Sequence, residues 1–462
     1  MSCLTFNRTV VFGDKNKSMN NLNNPTINIK AFSLVAIFML FSVSNIQATE
    51  VSEVSESAPQ NEVSDTLSTE SNQGGGFGSP NTVENLLADD ALHKKGIIKE
   101  LVLQPWIDWK KSLQEDYGLS FGIDYSSVFF GATEKGASGD DIASSGIVRF
   151  FGAWDIFGKG TKNTGALVWK VEHRHSYTDI APSEMGFDLG YDGLIQPAFS
   201  DQGLRLTNLY WRQRLNDGKI TFMAGFLDAT DYVDVFAMAS PWTGFNNFAF
   251  STGTTTMFLP NDATLGLAGG AMLTDNLYII AGITNAYSDP TNPFDGFSRF
   301  FDENEYFTSI EFGWTSSQGR IYHDNVHLTF WHVDESEKAG TPDGWGVNFQ
   351  FVTQIYDSLM PFVRAGYADD SGSLMQKSVS VGLGYEPVPG EDQLGFAFNW
   401  GEPNEASFGS DVDDQYTIET FYRFQLTPRL ALTPNVQYLI DPALDPDQSD
   451  IWLFGLRARL AL

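Results

Sequence analysis

The sequence predicts an all-β protein: a transmembrane antiparallel β-barrel of about 16 strands with a short N-terminal helical segment. Three observations carry this. From Leu119 onward, apolar and polar residues alternate with period two, in segments of roughly ten residues. The links between segments alternate between short turns and long loops. Finally, 14% of residues are aromatic and only 19% charged, yet no apolar run reaches the length a helical membrane span needs.

The C-terminus shows the alternation best. Trp452, Phe454, Leu456, Ala458, Leu460 and Leu462 share one face; Gly455, Arg457 and Arg459 lie on the other. Leu432, Val436, Tyr438 and Ile440 likewise oppose Thr433, Asn435 and Gln437. The segments run 119–129, 145–157, 164–175, 204–215, 219–226, 264–272, 277–284, 306–315, 324–332, 345–356, 360–367, 376–386, 393–401, 415–426, 430–440 and 451–462. Turns such as Asn216-Asp217-Gly218 and Thr427-Pro428-Arg429 alternate with loops near 176–203, 227–263 and 285–305. Short turns at one end and long loops at the other are the pattern of an outer-membrane barrel, whose closure satisfies every backbone group in lipid. A secreted β-sandwich array would also keep charge off the apolar face. It would not need the Trp, Tyr and Phe near segment ends that suit membrane interfaces.

The start of the chain reads as an address. Ala31 to Val43 is apolar, follows Lys30 and leads to Asn45-Ile46-Gln47-Ala48, so residues 1–48 read as a signal peptide cleaved after Ala48, with Met19 a candidate start. Cys3, the single cysteine, would then be lost; disulfides and cysteine zinc sites are excluded in any case. Residues 49–82, rich in Ser, Glu and Asn, read as a disordered linker. Residues 83–118 carry helical spacing interrupted at Pro105 and read as short helices on the periplasmic side, an in-barrel plug being the alternative. Residues 119–462 form the barrel.

A formal charge of −30 argues against nucleic acid, which requires concentrated basic surface. The inward parity nevertheless carries charge: Arg149, Lys170, Glu172, Arg174, Arg212, Arg214, Glu311, Arg364, Glu419, Arg423, Arg457 and Arg459. Such groups line a polar pore and tune its selectivity, or pair with one another and only shape the barrel. Arg149, Arg174, Arg212 and Arg423 predict a positive inner field. The longest loop, Leu227 to Ala263, holds Asp228, Asp231, Asp234, Trp242, Phe245 and Phe248. Folded into the lumen, it would narrow the pore and offer Trp242 and Phe245 as stacking faces for sugars; a lid on the rim or a subunit contact is the alternative. The candidate pore-lining and solute-binding set is therefore Arg149, Lys170, Glu172, Arg174, Arg212, Arg214, Glu311, Arg423, Trp242 and Phe245.

His173 and His175 point the same way but outward, near a strand end, so no metal is expected there. Asp411 to Asp414 and Asp445-Pro446-Asp447 read as solvated loops rather than cation sites. H-E-x-x-H, G-x-S-x-G and G-x-x-x-x-G-K-[ST] are all missing from the sequence, and neither cofactor nor catalytic residue is predicted.

The stretch Leu426-Thr427-Pro428 through Pro434-Asn435-Val436-Gln437-Tyr438-Leu439-Ile440-Asp441-Pro442, followed by Gly455-Leu456-Arg457, resembles the end of OprB-type carbohydrate-selective porins. Looser agreement lies at Trp109 to Gly122 and at Thr207 to Trp211. The resemblance covers roughly 105–462 and implies a sixteen-stranded outer-membrane channel that admits sugars by diffusion. The chain departs at Leu462, where many such barrels end in an aromatic residue, and at Pro442-Ala443-Leu444, where the family has P-G-G. The combined expectation is a passive porin for sugars and other small hydrophilic solutes, embedded in outer-membrane lipid, as monomer or homotrimer. A general or anion-preferring porin is the alternative, with a barrel enzyme or surface adhesin further off.

Overall fold

The computed structural model describes residues 76–462 except 93, 99–102, 357, 388–390 and 410–411. The signal peptide, Met19 and most of the linker lie outside the described residues. Sixteen strands follow in chain order: β1 (Leu119–Ala132), β2 (Ile142–Phe157), β3 (Gly165–Ser176), β4 (Gly203–Leu215), β5 (Ile220–Leu227), β6 (Thr264–Met272), β7 (Leu277–Asn285), β8 (Tyr306–Thr315), β9 (Asn325–Val333), β10 (Gly344–Val352), β11 (Leu359–Asp370), β12 (Met375–Tyr385), β13 (Gln393–Pro403), β14 (Gln415–Gln425), β15 (Leu430–Ile440) and β16 (Asp450–Ala461). Each pairs with its neighbour in sequence, and β1 pairs antiparallel with β16, so the sheet is a closed barrel without an edge. The expected ends hold to within a few residues. The largest difference is the tenth segment, which stops at Val352 because the chain turns around Tyr356, whose φ is 52°.

Parity separates two environments. On β2, Val148, Phe150 and Trp154 are exposed on the outer wall, while Ile147, Arg149 and Phe151 are buried inside. Outer aromatics gather toward both ends. Tyr438 stacks on Trp452 at 4.3 Å near the long-loop end, and Tyr422 lies 4.4 Å from Phe424 near the short-turn end. This is the placement interfacial girdles take. Parity breaks where a pairing shifts register, at β2–β3, β12–β13 and β3–β4, and the last of these re-aims an arginine. The β3–β4 register shifts between Lys170 and Val171, with Lys170 opposite Asn208 and Val171 opposite Leu206. The extra residue, Thr207, turns Arg205 inward as well as Arg212.

Two helices precede the barrel. In α1 (Val83–Ala91) the Thr82 side chain accepts from the Asn85 N–H as an N-cap. In α2 (Gln104–Tyr117) Pro105 sits in the first turn, where a missing N–H costs nothing, so it starts this helix instead of breaking one. Gly118, at φ 72°, ends it in the left-handed conformation that glycine adopts without strain. The helix α2 lies outside the wall: Trp106 and Trp109 meet the Phe121 ring edge-on at 5.8 Å, and Lys110 Nζ donates to the Leu462 carbonyl at 2.8 Å.

The helix α1 lies inside the short-turn mouth, and so does the last part of the predicted linker. Ser79 N–H donates to Asp231 O at 2.8 Å and Lys170 Nζ donates to Asn81 O at 3.2 Å. These bonds to the inner wall and to the long loop are what fix Gly76–Thr82. From the opposite end two loops fold into the lumen: 177–202, carrying α3 (Pro182–Asp188), and 228–263. They meet where Phe248 N–H donates to Leu194 O at 2.9 Å. The interior expected to be a polar, water-lined space is occupied by these segments, because their acids and amides match the wall's inward groups.

Candidate functional site

Loop 228–263 crosses the barrel, held at three stations. The first is its root. Arg174 donates to Glu172 at 2.6 Å and reaches Asp262 at 3.3 Å, and Arg205 also pairs with Asp262. Lys170 lies 3.6 Å from Asp231 and 3.9 Å from Asp228. The second station is mid-loop. Asp234 pairs with Arg364, accepts the Gly253 N–H at 2.6 Å, and has His327 Nε2 at 2.9 Å. Beside it Glu311 accepts the Asp234 N–H at 2.9 Å, the Tyr278 hydroxyl at 3.0 Å and the Thr329 hydroxyl at 2.8 Å. The third lies across the lumen. Glu419 accepts the Asn246 and Asn247 N–H groups at 2.7 and 2.8 Å, while Arg457 donates to the Pro241 and Gly244 carbonyls at 2.8 and 3.0 Å.

Electrostatics follow from this burial. Burial pushes the Asp231 carboxyl up to about 8, against the pull of Lys170. Burial would raise Asp234 too, but Arg364 and His327 hold it below the ordinary carboxylate value. Charges this deep are tolerable only when paired and hydrogen-bonded.

The other expected residues fall into the same pattern. Arg149 forms a two-point pair with Asp124, one bond being 2.8 Å, and its guanidinium lies 3.9 Å over the Trp242 ring. Arg212 pairs with Glu84 of α1 and with Asp155 at 3.0 Å. Arg214 is partly buried next to it. Arg423 donates to the Glu391 carbonyl at 3.1 Å. The positive inner field expected from four arginines is thus balanced at Arg174 by Glu172, as the inward parity allowed, and at Arg149 and Arg212 by Asp124, Glu84 and Asp155, which the parity count had not weighed. Phe245, expected to face sugar, is packed between Phe250, Phe421 and Phe362. Trp242 is also largely buried, but it borders a cavity with Asp90, Arg423, Gln425, Arg429 and Arg459. His173 and His175 lie outside, His175 Nε2 being 3.2 Å from the Tyr125 hydroxyl.

Four functional groups escaped the sequence reading. Asp124 and His327 were available from parity alone. Arg205 was hidden by the bulge, and Asp262 has no periodic signal because it sits in a loop.

Comparison with known proteins agrees with the barrel. Residues 133–462 match the carbohydrate-selective porin, OprB family. Porin AaxA of Chlamydia abortus is 24% identical over 317 residues, 67% of this chain and 68% of that protein. Porin AaxA of Chlamydia felis is 25% identical over 228 residues, 47% of this chain and 49% of that one. The high-pH structure of Pseudomonas putida OprB superposes with a TM-score of 0.60 at 15% identity, covering 77% of this chain and 97% of that one. With a closed sixteen-stranded wall, an apolar outer face and a charged inner one, the chain belongs to the OprB family of carbohydrate-selective porins and is an outer-membrane channel.

Proposed function

We propose that this porin passes neutral sugars and similar small hydrophilic solutes by diffusion, with a preference for sugars over ions. The observation that carries this reading is the paired lumen. Inward cations and carboxylates stand next to each other at Arg149–Asp124, Arg174–Glu172 and Arg212–Asp155. Such a lining offers donors and acceptors for hydroxyl groups while leaving a weak net field for ions. Arg214 and Arg423 serve as this hydrogen-bonding lining, and Trp242 supplies the aromatic contact. Arg149, Lys170, Glu172, Arg174, Arg212 and Glu311, buried in their pairs, hold the crossing loop and α1 against the wall. Phe245 also holds the crossing loop in place. The signal at 1–48 carries the chain through the inner membrane, and α2 rests at the inner-leaflet interface.

Liposome swelling over sugars of increasing size tests the reading, alongside reversal potentials in a KCl gradient. Entry rates falling with sugar size, current blocked by sugar and only modest ion preference are expected. Ions or charged solutes entering faster than neutral sugars of equal size would favour the general-porin alternative.

A further inference from the structure

The short-turn mouth is crossed by a strap, residues Phe77–Ala91. At one end Phe77 lies against Gly270 of β6; Glu84 pairs with Arg212 of β4; at the other end Asp90 meets Arg459 of β16 at 3.0 Å. Ion pairs fasten its Glu84 and Asp90 side chains, hydrogen bonds from Lys170 and to Asp231 hold Asn81 and Ser79, and Phe77, Val83 and Leu86 are buried in the core. Loop 228–263, by contrast, buries an aromatic cluster. Under the strap lies the cavity bordered by Trp242, Arg423, Gln425, Arg429 and Arg459, with Asp90 as its roof. It combines an aromatic ring, arginine donors and a carboxylate, the chemistry that recognises a pyranose by stacking and hydroxyl bonding. Asp90 is 8% exposed, and its Oδ2 has no hydrogen-bond partner. A buried carboxylate oxygen of that kind costs about 1–3 kcal/mol unless something donates to it. As it stands, the cavity has room for water but not for a sugar ring.

We infer that this cavity is a sugar subsite at the periplasmic exit and that the strap roofs it, lifting to let solute leave. The inference rests on the porin reading above. A sugar hydroxyl donates to Asp90 Oδ2 while the ring meets the cavity-facing edge of Trp242, whose other side Arg149 covers, and release requires breaking Glu84–Arg212 and Asp90–Arg459. These pairs re-form once the solute has gone.

A tether tests it. A Cβ placed on Gly270 falls 2.9 Å from the Phe77 Cβ, within about 1 Å of disulfide spacing (~3.8 Å). Phe77→Cys with Gly270→Cys, in a Cys3→Ser background, therefore locks the Phe77 end of the strap to β6 under oxidation. Planar-bilayer conductance is measured for the native protein and for the tethered one, oxidised and reduced, with heat-modifiable gel migration confirming the barrel. Oxidation is expected to lower conductance at least fivefold, and reduction to restore it. Asp90→Asn, which keeps the strap's shape, is expected to weaken block by glucose on the periplasmic side about fivefold or more. Equal conductance of oxidised and reduced tether overturns the strap as a gate. Unchanged glucose block in Asp90→Asn overturns the subsite. A native protein that forms no sugar-blocked channel under any condition would instead remove the porin reading on which the inference stands.

Discussion

Loops 228–263 and 286–305 leave the same end of the barrel from neighbouring strands, and both are acidic and aromatic. Their fates are opposite. The first holds four Asp and no Lys or Arg, and Asp231, Asp234 and Asp262 all end in buried pairs inside. The second stays outside: Phe294 and Phe297 cover outward-facing Phe226 at 5.7 Å, while Phe301 remains exposed. Acidic and aromatic content does not separate them. What separates them is complementarity with groups far away in sequence, since Arg364 lies 130 positions from Asp234 and Glu419 lies 173 from Asn246. Loop 228–263 folds inward where Asp231, Asp234 and Asp262 meet cations or donors on the wall; without such partners water is the better one.

The sharpest way to break the comparison is Asp234→Ala. It leaves Arg364 buried without its carboxylate, a loss of about 3–5 kcal/mol. The crossing loop should loosen, lowering the temperature of heat modification and raising open-channel current. Unchanged current would mean that this station does not hold the loop.

Trp242→Ala comes next. Removing a buried indole costs about 3–5 kcal/mol at a well-packed site, nearer the lower figure here because the residue borders a cavity. Sugar block should weaken, with little change in ion preference, because the substitution removes no charge. Sugar titration of single-channel current reads both.

Asp192→Asn should act in the other direction. Asp192 lies in loop 177–202, fully buried, and neither carboxylate oxygen has a partner. Burial raises its pKa well above the ordinary value. In the unfolded chain the group ionises near pH ~3.9. The native protein therefore loses stability as pH rises above that point, because the unfolded state releases the proton first. The substitution should gain about 1–3 kcal/mol at neutral pH and less at pH 4. Equal stability of the two proteins at pH 4 and pH 7 would contradict this account.

The smallest effect belongs to the outer loop. Phe301→Ser changes an exposed side chain whose ring meets Phe300, so stability should stay within about 0.5 kcal/mol of native and conductance should not change. A large change in conductance would show that loop 286–305 also shapes the channel entrance.

The sequence by itself determined the wall. Period-two alternation, turn chemistry and link lengths are local, and they placed sixteen strands, their inward and outward faces and the parity of Arg149, Glu172 and Arg457. Tertiary structure decided what fills the wall. The bulge at Thr207 turned Arg205 inward; α1 entered the mouth because Glu84 and Asp90 found Arg212 and Arg459. Phe245 became packing and Trp242 a cavity edge because of partners on β2, β11 and β14. Alternation reports which side of a strand a residue faces, since that depends on its neighbours in the chain. It cannot report which distant charge neutralises it, because that pairing exists only once the barrel has closed.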